Sequence, residues 1–494
     1  MSATRKDHQS LRSGGRLSPG IAVSFRDPGG RVVIADNRAF RVVDDEYEET
    51  VRTFLATPLS SSLVAAEMLI DTRNVDDAAL RDELIQIALP NHPDAMVLEH
   101  EHVAFPSYPY EWPPEMLHAA GELTLDLMER LLEEKFGLKD ASPYNILYQG
   151  PKPIFIDLLS IEKRDEKDST WLAYAQFTRT FIRPLLADKY FGIGLNQTFR
   201  VYRDGLQPEH VFRMSSAWRK FHPVFLTSVS LPVLLSRMDP KRYQTIYQPH
   251  SSRSADQALF ILKHQLRGLR RKLAAARPFD RRKSSWHDYE ELEQQKELNL
   301  PAKRVFVERA LKERGPRRVL DVGCNRGYFS VLAAQSGCSV VAIDQDPVVV
   351  GRLWQRAGEE KLDILPLVVD ITRPTAGLGW RNLETKSFLD RALGSFDGVM
   401  MLAVIHHMLV TERIPLDEIL RLASELTTDL LIIEFVGPED EMFRLLTRGN
   451  EHLYEYLNRE LFERVSAKYF FIERTEQVGD SHRWLYQMRR VKVA

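Results

Sequence analysis

The sequence contains little cysteine and no long apolar run. Only Cys324 and Cys338 occur among its 494 residues. Two cysteines cannot form a disulfide framework, and alone they lack the partners for a structural zinc site, so we expect no metal. No run of the roughly 18 apolar residues that a membrane-spanning helix requires is present. The polar residues 1–20 lack the apolar segment of a secretory signal and predict a disordered tail. We therefore expect a cytoplasmic protein.

Neither sign of charge dominates the composition. The chain has 67 Lys and Arg and 69 Asp and Glu, which leaves a net charge of −2 and no overall attraction to nucleic acid. Residues 263–283 are a local exception, because nine Lys or Arg stand there beside one acid, Asp280. Phe279 is the single aromatic residue in this stretch, which favours a solvated helix face over a nucleic-acid surface.

The first half of the chain has the pattern of short strands mixed with helices. Asp27-Pro28-Gly29-Gly30 separates two apolar runs and predicts a hairpin. Pro113-Pro114 opens an apolar helical stripe, and Gly137 stands where that helix is expected to end. We expect an α+β recognition region over residues 21–250. Its other predicted elements are helices at 46–55 and 62–69, strands at 146–148 and 154–156, and a mainly helical stretch from 171 to 238 before a break at Asp239-Pro240.

A helical basic linker is predicted over residues 251–300. Apolar residues in 255–273 alternate at spacings of four and three, which is typical of an amphipathic helix with a narrow apolar seam. The boundary of the last domain is expected between Arg277 and Trp286, and that domain occupies residues 301–494.

The last domain has the pattern of an α/β fold with a doubly wound, Rossmann-like, mostly parallel sheet of seven strands. Short apolar strands alternate with helices, and the ligand crevice of such a sheet lies at the carboxyl ends of its strands. The predicted strands are 319–322, 340–343, 365–369, 398–404, 430–435, 470–474 and 484–488.

The loop after the first of these strands indicates the ligand. A nicotinamide site requires glycine at the first, third and sixth positions of this loop, where the chain has Gly323, Asn325 and Tyr328. The strand also carries Asp321 into the crevice, and its carboxylate would repel a pyrophosphate. A carboxylate suits a ligand that bears ammonium and sulfonium groups instead. These features predict S-adenosylmethionine (SAM).

The segment VLDVGCNRGYFS resembles the first motif of class I SAM-dependent methyltransferases. Asn325 stands where many members have a second glycine, and Asn tolerates a positive φ angle. The resemblance implies that an acidic residue, Asp344, binds the ribose hydroxyls and that Asp370 accepts from the adenine amino group. The implied cofactor-binding residues are Asp321, Gly323, Cys324, Asn325, Gly327, Asp344, Gln345, Asp370, Ile371 and Leu402.

Paired histidines follow the fourth strand of the domain. Methyl transfer needs a base only when the acceptor must lose a proton, and imidazole has a suitable pKa. His406 and His407 are therefore the candidate catalytic residues, with local packing as the alternative. Glu434, at the end of the fifth strand, either orients substrate or is a buried structural partner. An Asn-Pro-Pro-Tyr type motif is absent, which argues against exocyclic amines of bases or glutamine as acceptors.

A second group of polar residues resembles the catalytic and metal-binding loops of kinases. Asp140, Asn145 and Asp157 have the spacing of the base and the two Mg²⁺ ligands of those enzymes, within a loop region at 138–160. The usual residues before the catalytic Asp are replaced by Leu138-Lys139, and no convincing glycine-rich loop precedes them. We expect a degenerate kinase-like region used for recognition or structure, with an ordinary loop as the alternative.

The layout as a whole resembles large bacterial methyltransferases, including rhizobial host-specificity nodulation proteins. The first hypothesis is a SAM-dependent methyltransferase for a small-molecule, glycan or lipid-linked acceptor. The alternatives are an RNA or protein methyltransferase that uses the basic 263–283 helix, a bifunctional protein with a phosphotransferase site, and a non-catalytic SAM sensor. The acceptor atom and the oligomeric state are not determined by the sequence.

Overall fold

The computed structural model describes residues 22–24, 26–238, 251–279 and 293–491. The chain divides into two compact units, one of Met1–His102 with Leu158–Glu162 and one of Val103–Asp157 with Lys163–Ala494. The expected domain boundaries near residues 250 and 300 differ from this division and stay a prediction. The predicted tail, the break at Asp239-Pro240 and residues 280–283 of the basic stretch lie outside the described residues.

The first unit is built on a five-stranded antiparallel sheet with the order β1-β2-β3-β5-β4. The predicted hairpin is confirmed for its described residues, because Ala22 and Val23 pair with Ile34 and Val33. The strands are β1 (Ala22–Val23), β2 (Gly30–Ala35), β3 (Arg38–Val43), β4 (Thr72–Asn74) and β5 (Met96–His100), and the helices are α1 (Asp45–Leu55), α2 (Pro58–Ala65) and α3 (Ala78–Ala88).

A second helix of this unit begins earlier than predicted. Its expected range was 62–69, whereas α2 begins after Thr57, whose side chain accepts from the Ser60 backbone N–H. Pro58 occupies the first helical position, where its missing N–H costs no hydrogen bond. Glu67, with φ at 56°, follows the last turn of the helix.

The second unit opens with a long buried helix, α4 (Pro114–Glu133), which starts at the predicted prolines. The expectation that Gly137 ends this helix is wrong. Lys135 makes the turn with φ at 63°, and Gly137 lies buried within the strand β6 (Phe136–Leu138). A bulky residue in the left-handed region is uncommon, so the sequence favoured the glycine.

A hairpin and a set of helices complete the first part of this unit. The predicted strands are confirmed as β7 (Ile146–Gln149) and β8 (Lys152–Phe155), which pair antiparallel. The strand β9 (Ile161–Lys163) follows, and its first two residues belong to the first unit. The helices are α5 (Tyr174–Phe177), α6 (Arg183–Phe191), α7 (Leu195–Val201), α8 (Pro208–Met214), α9 (Pro223–Phe225), α10 (Leu231–Met238) and α11 (Ala255–Ala276), with π-helical segments at Thr178–Ile182 and Leu226–Ser230.

The predicted amphipathic helix of the linker is confirmed as α11. Its seam is buried at Ala258, Leu262, Leu266, Leu269 and Leu273. The helix packs on α4, where Arg270 contacts three acids, Glu122 and Asp126 at 2.7 Å and Glu129 at 3.2 Å. These acids neutralise part of the basic stretch.

The predicted seven-stranded, doubly wound sheet is confirmed in the second part of the unit. Its strand order is β12-β11-β10-β13-β14-β16-β15, with β16 antiparallel to both of its neighbours and the other pairs parallel. The strands are β10 (Arg318–Val322), β11 (Ser339–Asp344), β12 (Ile364–Val368), β13 (Phe396–Met401), β14 (Thr427–Val436), β15 (Phe470–Gln477) and β16 (Arg483–Arg490). The helices are α12 (Glu293–Arg314), α13 (Tyr328–Gln335), α14 (Pro347–Glu359), α15 (Phe388–Ala392), α16 (Ile405–Val410), α17 (Leu416–Leu426), α18 (Glu441–Thr447) and α19 (Arg459–Ser466).

A buried ion pair joins the segment before α4 to the sheet domain. Arg391 in α15 contacts the carboxylate of Glu111, and both side chains are nearly inaccessible to water. Arg391 Nη1 also donates to the Pro106 carbonyl at 2.6 Å, and Thr375 Oγ1 donates to Glu111 Oε1 at 2.6 Å. A buried charge is tolerated when it is paired and hydrogen-bonded in this way.

Candidate functional site

A cavity of about 590 Å³ lies at the carboxyl ends of β10, β11 and β13. This is where a doubly wound sheet places its ligand, and the volume is in the usual range for small-molecule sites. Eleven of the twelve predicted site residues line it together: Asp321, Gly323, Cys324, Asn325, Asp344, Gln345, Asp370, Ile371, Leu402, His406 and His407.

The loop after β10 turns tightly at the mouth of the cavity. Gly323 and Asn325 have φ angles of 72° and 48°, which fits the expectation that Asn replaces glycine in the left-handed region. The Gly323 and Cys324 backbone N–H groups donate to the Ile343 carbonyl at 2.9 and 3.0 Å. These bonds attach the loop to the neighbouring strand β11.

Gly327 is the predicted site residue that is not among those lining the cavity. Its φ angle is 75° and it stands directly before α13. A Cβ atom at this position would lie 2.2 Å from Cδ1 of the buried Leu353. The glycine therefore permits the close packing of the loop on α14 rather than contact with a ligand.

Asp321 presents a buried carboxylate to the cavity. Its Oδ2 accepts a hydrogen bond of 2.6 Å from Ser330 Oγ in α13. Burial, together with the nearby carboxylate of Asp344, raises the pKa of Asp321 to about 6 from an ordinary value of 3.8, and the hydrogen bond from Ser330 opposes this shift. A positively charged ligand beside this group would favour its ionised form.

Asp344 ends β11 with both carboxylate oxygens already oriented by the backbone. Oδ2 accepts from the Asn325 N–H and Oδ1 from the Asp346 N–H, each at 3.0 Å. Burial raises the pKa of this carboxyl, and the backbone hydrogen bonds oppose that shift. Each oxygen retains a further lone pair, so the pair of acceptors is held at fixed spacing.

The side of the cavity near β12 combines a polar and an apolar residue. Asp370 Oδ1 accepts from the Thr372 backbone N–H at 2.9 Å and from its hydroxyl at 2.6 Å. Ile371 is buried and lines the cavity next to Asp370, whereas Leu402, which is also buried and lines the cavity, follows β13. This side therefore offers an acceptor group beside an apolar surface.

The two histidines lie at the start of α16, directly after the strained end of β13. Ala403, two residues after β13, has a φ angle of 52°, which is unfavourable for alanine. The rings of His406 and His407 are 4.3 Å apart. His406 is buried and His407 is partly exposed, and both line the cavity.

Glu434 is a buried structural partner rather than a residue of the cavity wall. It is fully buried, its Oε2 accepts from Lys303 Nζ at 2.7 Å, and its Oε1 lies 3.6 Å from Arg483 Nη1. Arg483 in turn makes a paired contact of 2.8 and 3.0 Å with Asp440.

Several cavity residues were missed by the sequence reasoning. Lys303 and Arg483 line the cavity together with Phe329, Met408 and Met442. No motif marks these positions, because they come from elements far apart in the chain. An isolated Lys in a helix and an Arg at the start of a strand inside the sheet carry no signal by themselves.

The kinase-like residues lie in the second unit, around the β7–β8 hairpin. The Ile156 N–H donates to the Asn145 carbonyl at 2.9 Å, which places Asn145 beside the backbone that leads to Asp157. The loop after Asp140 is held by Gln176, which accepts from the Ala141 N–H, and by Thr180, which donates to the Ala141 carbonyl. Within the described ranges, no group of three or more His, Cys, Asp or Glu is placed to bind a metal ion.

Residues 292–478 match the model of a protein family described as a methyltransferase domain. The matched range contains the carboxylates of the cavity, the turn after β10 and all of the cavity lining except Arg483. The chain therefore contains a class I SAM-dependent methyltransferase domain and is a SAM-dependent methyltransferase, with SAM as its cofactor.

The similarity to one curated protein extends beyond this domain. The chain is 28% identical over 471 residues to Nodulation protein NoeA of Rhizobium meliloti (strain 1021), which covers 95% of this chain and 96% of that protein. The chain thus resembles a rhizobial nodulation protein along nearly its whole length.

Among solved structures, the chain matches the N-methyltransferase NodS from Bradyrhizobium japonicum WM9 at 16% identity and a TM-score of 0.29, over 39% of this chain and 97% of that one. It also matches the bifunctional kinase-methyltransferase WbdD at 22% identity and a TM-score of 0.28, over 39% of each chain. Across the described residues, no helix is long and apolar enough to span a membrane.

Proposed function

We propose that the chain transfers the methyl group of SAM to a small-molecule, glycan or lipid-linked acceptor bound in this cavity. The observation that carries the proposal is that separate loops after β10, β11, β12 and β13 bring the predicted residues to one cavity. When bound, SAM supplies a methyl group on an activated sulfonium. The chain itself has to hold this group, orient the acceptor and exclude water.

The carboxylates of the cavity fit the charge and polarity of SAM. Asp321 provides a buried negative charge for the cationic methionine end, and Leu402 packs near the same end. Asp344 provides two fixed acceptors for the ribose diol, with Gln345 beside the adenosine. Asp370 accepts from the adenine amino group, and Ile371 packs on the ring. Gly323, Cys324 and Asn325 form the loop that brings the backbone close to the cofactor.

His406 and His407 are proposed to accept a proton from the acceptor. Imidazole is suited to this role near neutral pH. His407 is the stronger candidate because it is the less buried of the two rings. A base is needed for hydroxyl and other acceptors that lose a proton. Replacing each histidine by Gln tests the role, since loss of a base removes the acidic limb of the pH–rate profile whereas loss of packing leaves its shape unchanged.

Calorimetry with SAM tests the cofactor site directly. We expect binding by the wild-type chain and a large loss in Asp321→Ala and Asp344→Ala. Asp82→Ala is a control, because Asp82 is an exposed aspartate of the first unit. Absence of SAM binding by the wild-type chain, or affinities unchanged in both cavity variants, would overturn the proposed site.

The acceptor class is tested by incubating the protein with radiolabelled SAM and fractionated cell extract. We expect label in small-molecule, glycan or lipid fractions. Label confined to RNA or protein would instead favour the alternative that uses the basic 263–283 helix. The pairing of Arg270 with acids of α4 supports the first outcome. Absence of S-adenosylhomocysteine formation with every fraction would favour the alternative of a SAM sensor.

The whole-length similarity to NoeA supports a function that uses both parts of the chain. We therefore propose that residues 21–250 recognise the acceptor. A phosphotransferase site is the second candidate for this region, and the position of Asn145 beside the segment leading to Asp157 favours it. Binding of Mg-ATP that is lost in Asp157→Ala would support a bifunctional protein, whereas no detectable Mg-ATP binding would exclude it.

A further inference from the structure

A stretch of the second unit, residues 211–238, exposes an unusual number of large apolar side chains. Trp218 is 89% exposed, Phe221 is 73% exposed and Met238 is 81% exposed. Isolated exposed apolar residues are ordinary, but several within one short stretch indicate an interaction surface. We name these residues, together with Leu231, Leu234 and Leu235, the apolar patch.

Four members of the apolar patch lie on one face of α10. Leu231, Leu234, Leu235 and Met238 follow the i, i+3, i+4, i+7 spacing, which places them on a single side of a helix. All four are exposed, whereas Val233 of the same helix is fully buried. The helix therefore packs on the protein with one side and presents a second apolar side outward.

The two aromatic residues of the patch are attached to this helix. Ser230 Oγ donates to the Lys220 carbonyl at 2.9 Å, which joins the loop of Trp218 and Phe221 to the residue before α10. Lys220 Nζ lies 4.0 Å from the centre of the Phe212 ring, and Arg237 Cζ lies 5.7 Å from the same centre. The loop, α8 and α10 thus form one continuous surface.

The charged residues within the stretch 211–238 are all basic, while Glu209 precedes the stretch in α8. Residues 211–238 contain four basic residues and no Asp or Glu. Arg213 and Arg237 are exposed, while Arg219 and Lys220 are partly buried. The balanced net charge of the whole chain therefore conceals a local cationic surface. The basic residues of this stretch are Arg213, Arg219, Lys220 and Arg237.

The stretch combines exposed Trp and Phe, an apolar helix face that points outward, and interspersed Arg and Lys. These features together are typical of surfaces that bind a membrane peripherally. The apolar side chains enter the boundary between headgroups and acyl chains, and the basic side chains attract anionic headgroups. A protein partner would require complementary acids at fixed positions, whereas a bilayer accepts basic and apolar groups in this scattered arrangement.

We infer that residues 211–238 bind the surface of an anionic lipid bilayer. The contact is peripheral, because α10 has only eight residues and the apolar patch is shallow. This inference stands on exposure and charge and does not rest on the identity of the methyl acceptor.

Vesicle sedimentation with the full chain tests the inference. We expect binding to vesicles of phosphatidylglycerol mixed with phosphatidylcholine, weak binding to phosphatidylcholine alone, and loss of binding at high salt. Trp218→Ala combined with Phe221→Ala should weaken partitioning at least tenfold. Arg213→Gln and Arg237→Gln should each weaken it roughly fivefold. Trp380→Ala, at an exposed tryptophan outside the stretch, is the matched control and should bind like wild type.

Tryptophan fluorescence provides a readout that locates the contact. We expect the emission maximum to shift to shorter wavelength when vesicles are added. The Trp218→Phe variant should still bind vesicles but lose this shift, and the Trp380→Phe variant should retain it. Equal binding of neutral and anionic vesicles, or a shift that survives in Trp218→Phe, would overturn the inference.

Sedimentation velocity without lipid distinguishes the other occupant, a second copy of the chain. A dimer that dissociates in Trp218→Ala with Phe221→Ala, together with no vesicle binding, would show that the apolar patch is a contact between copies and would overturn the membrane proposal. Thermal unfolding of each variant verifies that the fold is retained.

Discussion

Asp321 and Asp344 lie at the carboxyl ends of two neighbouring strands, β10 and β11. An aspartate exposed to water is fully ionised at neutral pH, but both of these side chains are buried at the cavity. The sequence placed them at strand ends and so predicted where they meet. Burial raises the pKa of both carboxyls, and the charge of Asp344 also raises that of Asp321; only the packed structure defines these effects. The raised pKa values predict that ligand binding at this site depends on pH.

The pH dependence of SAM binding is the first prediction. A cationic ligand favours the ionised form of Asp321, so the affinity for SAM should fall as the pH drops from 7 to 5, by up to about tenfold per unit below pH 6. Calorimetry at several pH values measures this. The Asp321→Asn variant should bind weakly with a shallower pH dependence. A wild-type affinity that is constant over this range would contradict the assignment.

The raised pKa of Asp321 also predicts how the stability of the ligand-free chain changes with pH. The pKa of Asp321 is higher in the folded chain than its ordinary value, so between pH 3.8 and about 6 the folded chain holds a proton that the unfolded chain releases. The contribution of this group to the free energy of unfolding is therefore complete at low pH and decreases as the pH rises through that window.

Gly327→Ala should destabilise the methyltransferase domain by roughly 2 to 4 kcal/mol, because it adds a left-handed alanine and a clash with the buried Leu353. Gly337→Ala is the matched control. Gly337 also has a positive φ angle, but no atom lies within 4 Å of its added Cβ. Urea unfolding measures both variants, and equal losses would show that backbone strain alone, without the clash, explains the effect.

Contacts between elements decide the role of Glu434. It ends a parallel strand at the crevice, which allowed either substrate orientation or structural pairing. The structure connects it instead to Lys303 of α12 and Arg483 of β16. These elements are far apart in sequence, so no pattern in the sequence could identify the partners.

Lys303→Met should destabilise the chain by roughly 3 kcal/mol, since it removes the 2.7 Å partner of a fully buried carboxylate. Lys303→Met combined with Glu434→Leu should recover most of the loss, because the unpaired charge is removed as well. Arg304→Met is the control at the neighbouring exposed pair with Glu308 and should change stability far less. Denaturant unfolding measures the series, and additive losses in the double variant would contradict the pairing.

The two ends of α4 show what the sequence can and cannot predict about a single helix. The prolines at 113 and 114 identified the start of α4 because proline is tolerated only in the first turn. The end was assigned to Gly137, whereas the chain turns at Lys135 so that Phe136 and Leu138 become buried in β6. Burial of these side chains compensates for an unfavourable φ angle, which local preference cannot anticipate.

At the scale of the whole molecule, the segment before α4 belongs to the same compact unit as the methyltransferase sheet. Arg391 is central to this arrangement, because its guanidinium contacts Glu111 and lies 5.1 and 5.0 Å from the rings of Phe105 and Tyr108. A buried cation with this many partners leaves an uncompensated carboxylate when it is removed.

Arg391→Met should therefore cost roughly 3 to 5 kcal/mol and release the segment around Glu111 from the sheet domain. Limited proteolysis should show new cleavage within residues 103–113, and urea unfolding should show the lost stability. Arg421→Met, at an exposed pair with Glu418, is the control and should leave the cleavage pattern unchanged. Unchanged cleavage in Arg391→Met would show that the ion pair does not hold the segment.

The sequence by itself determined the doubly wound sheet, the cofactor and the residues that are proposed to bind it. The spacing of apolar residues, the positions of glycines and the carboxylates at strand ends are local features of the sequence. A parallel sheet then brings the carboxyl ends of its strands to one edge. Tertiary structure alone decided the structural role of Gly327, the partners of Glu434, the protonation of Asp321 and the attachment of residues 103–114. Each of these depends on atoms distant in sequence, whose distances are set only when the chain packs.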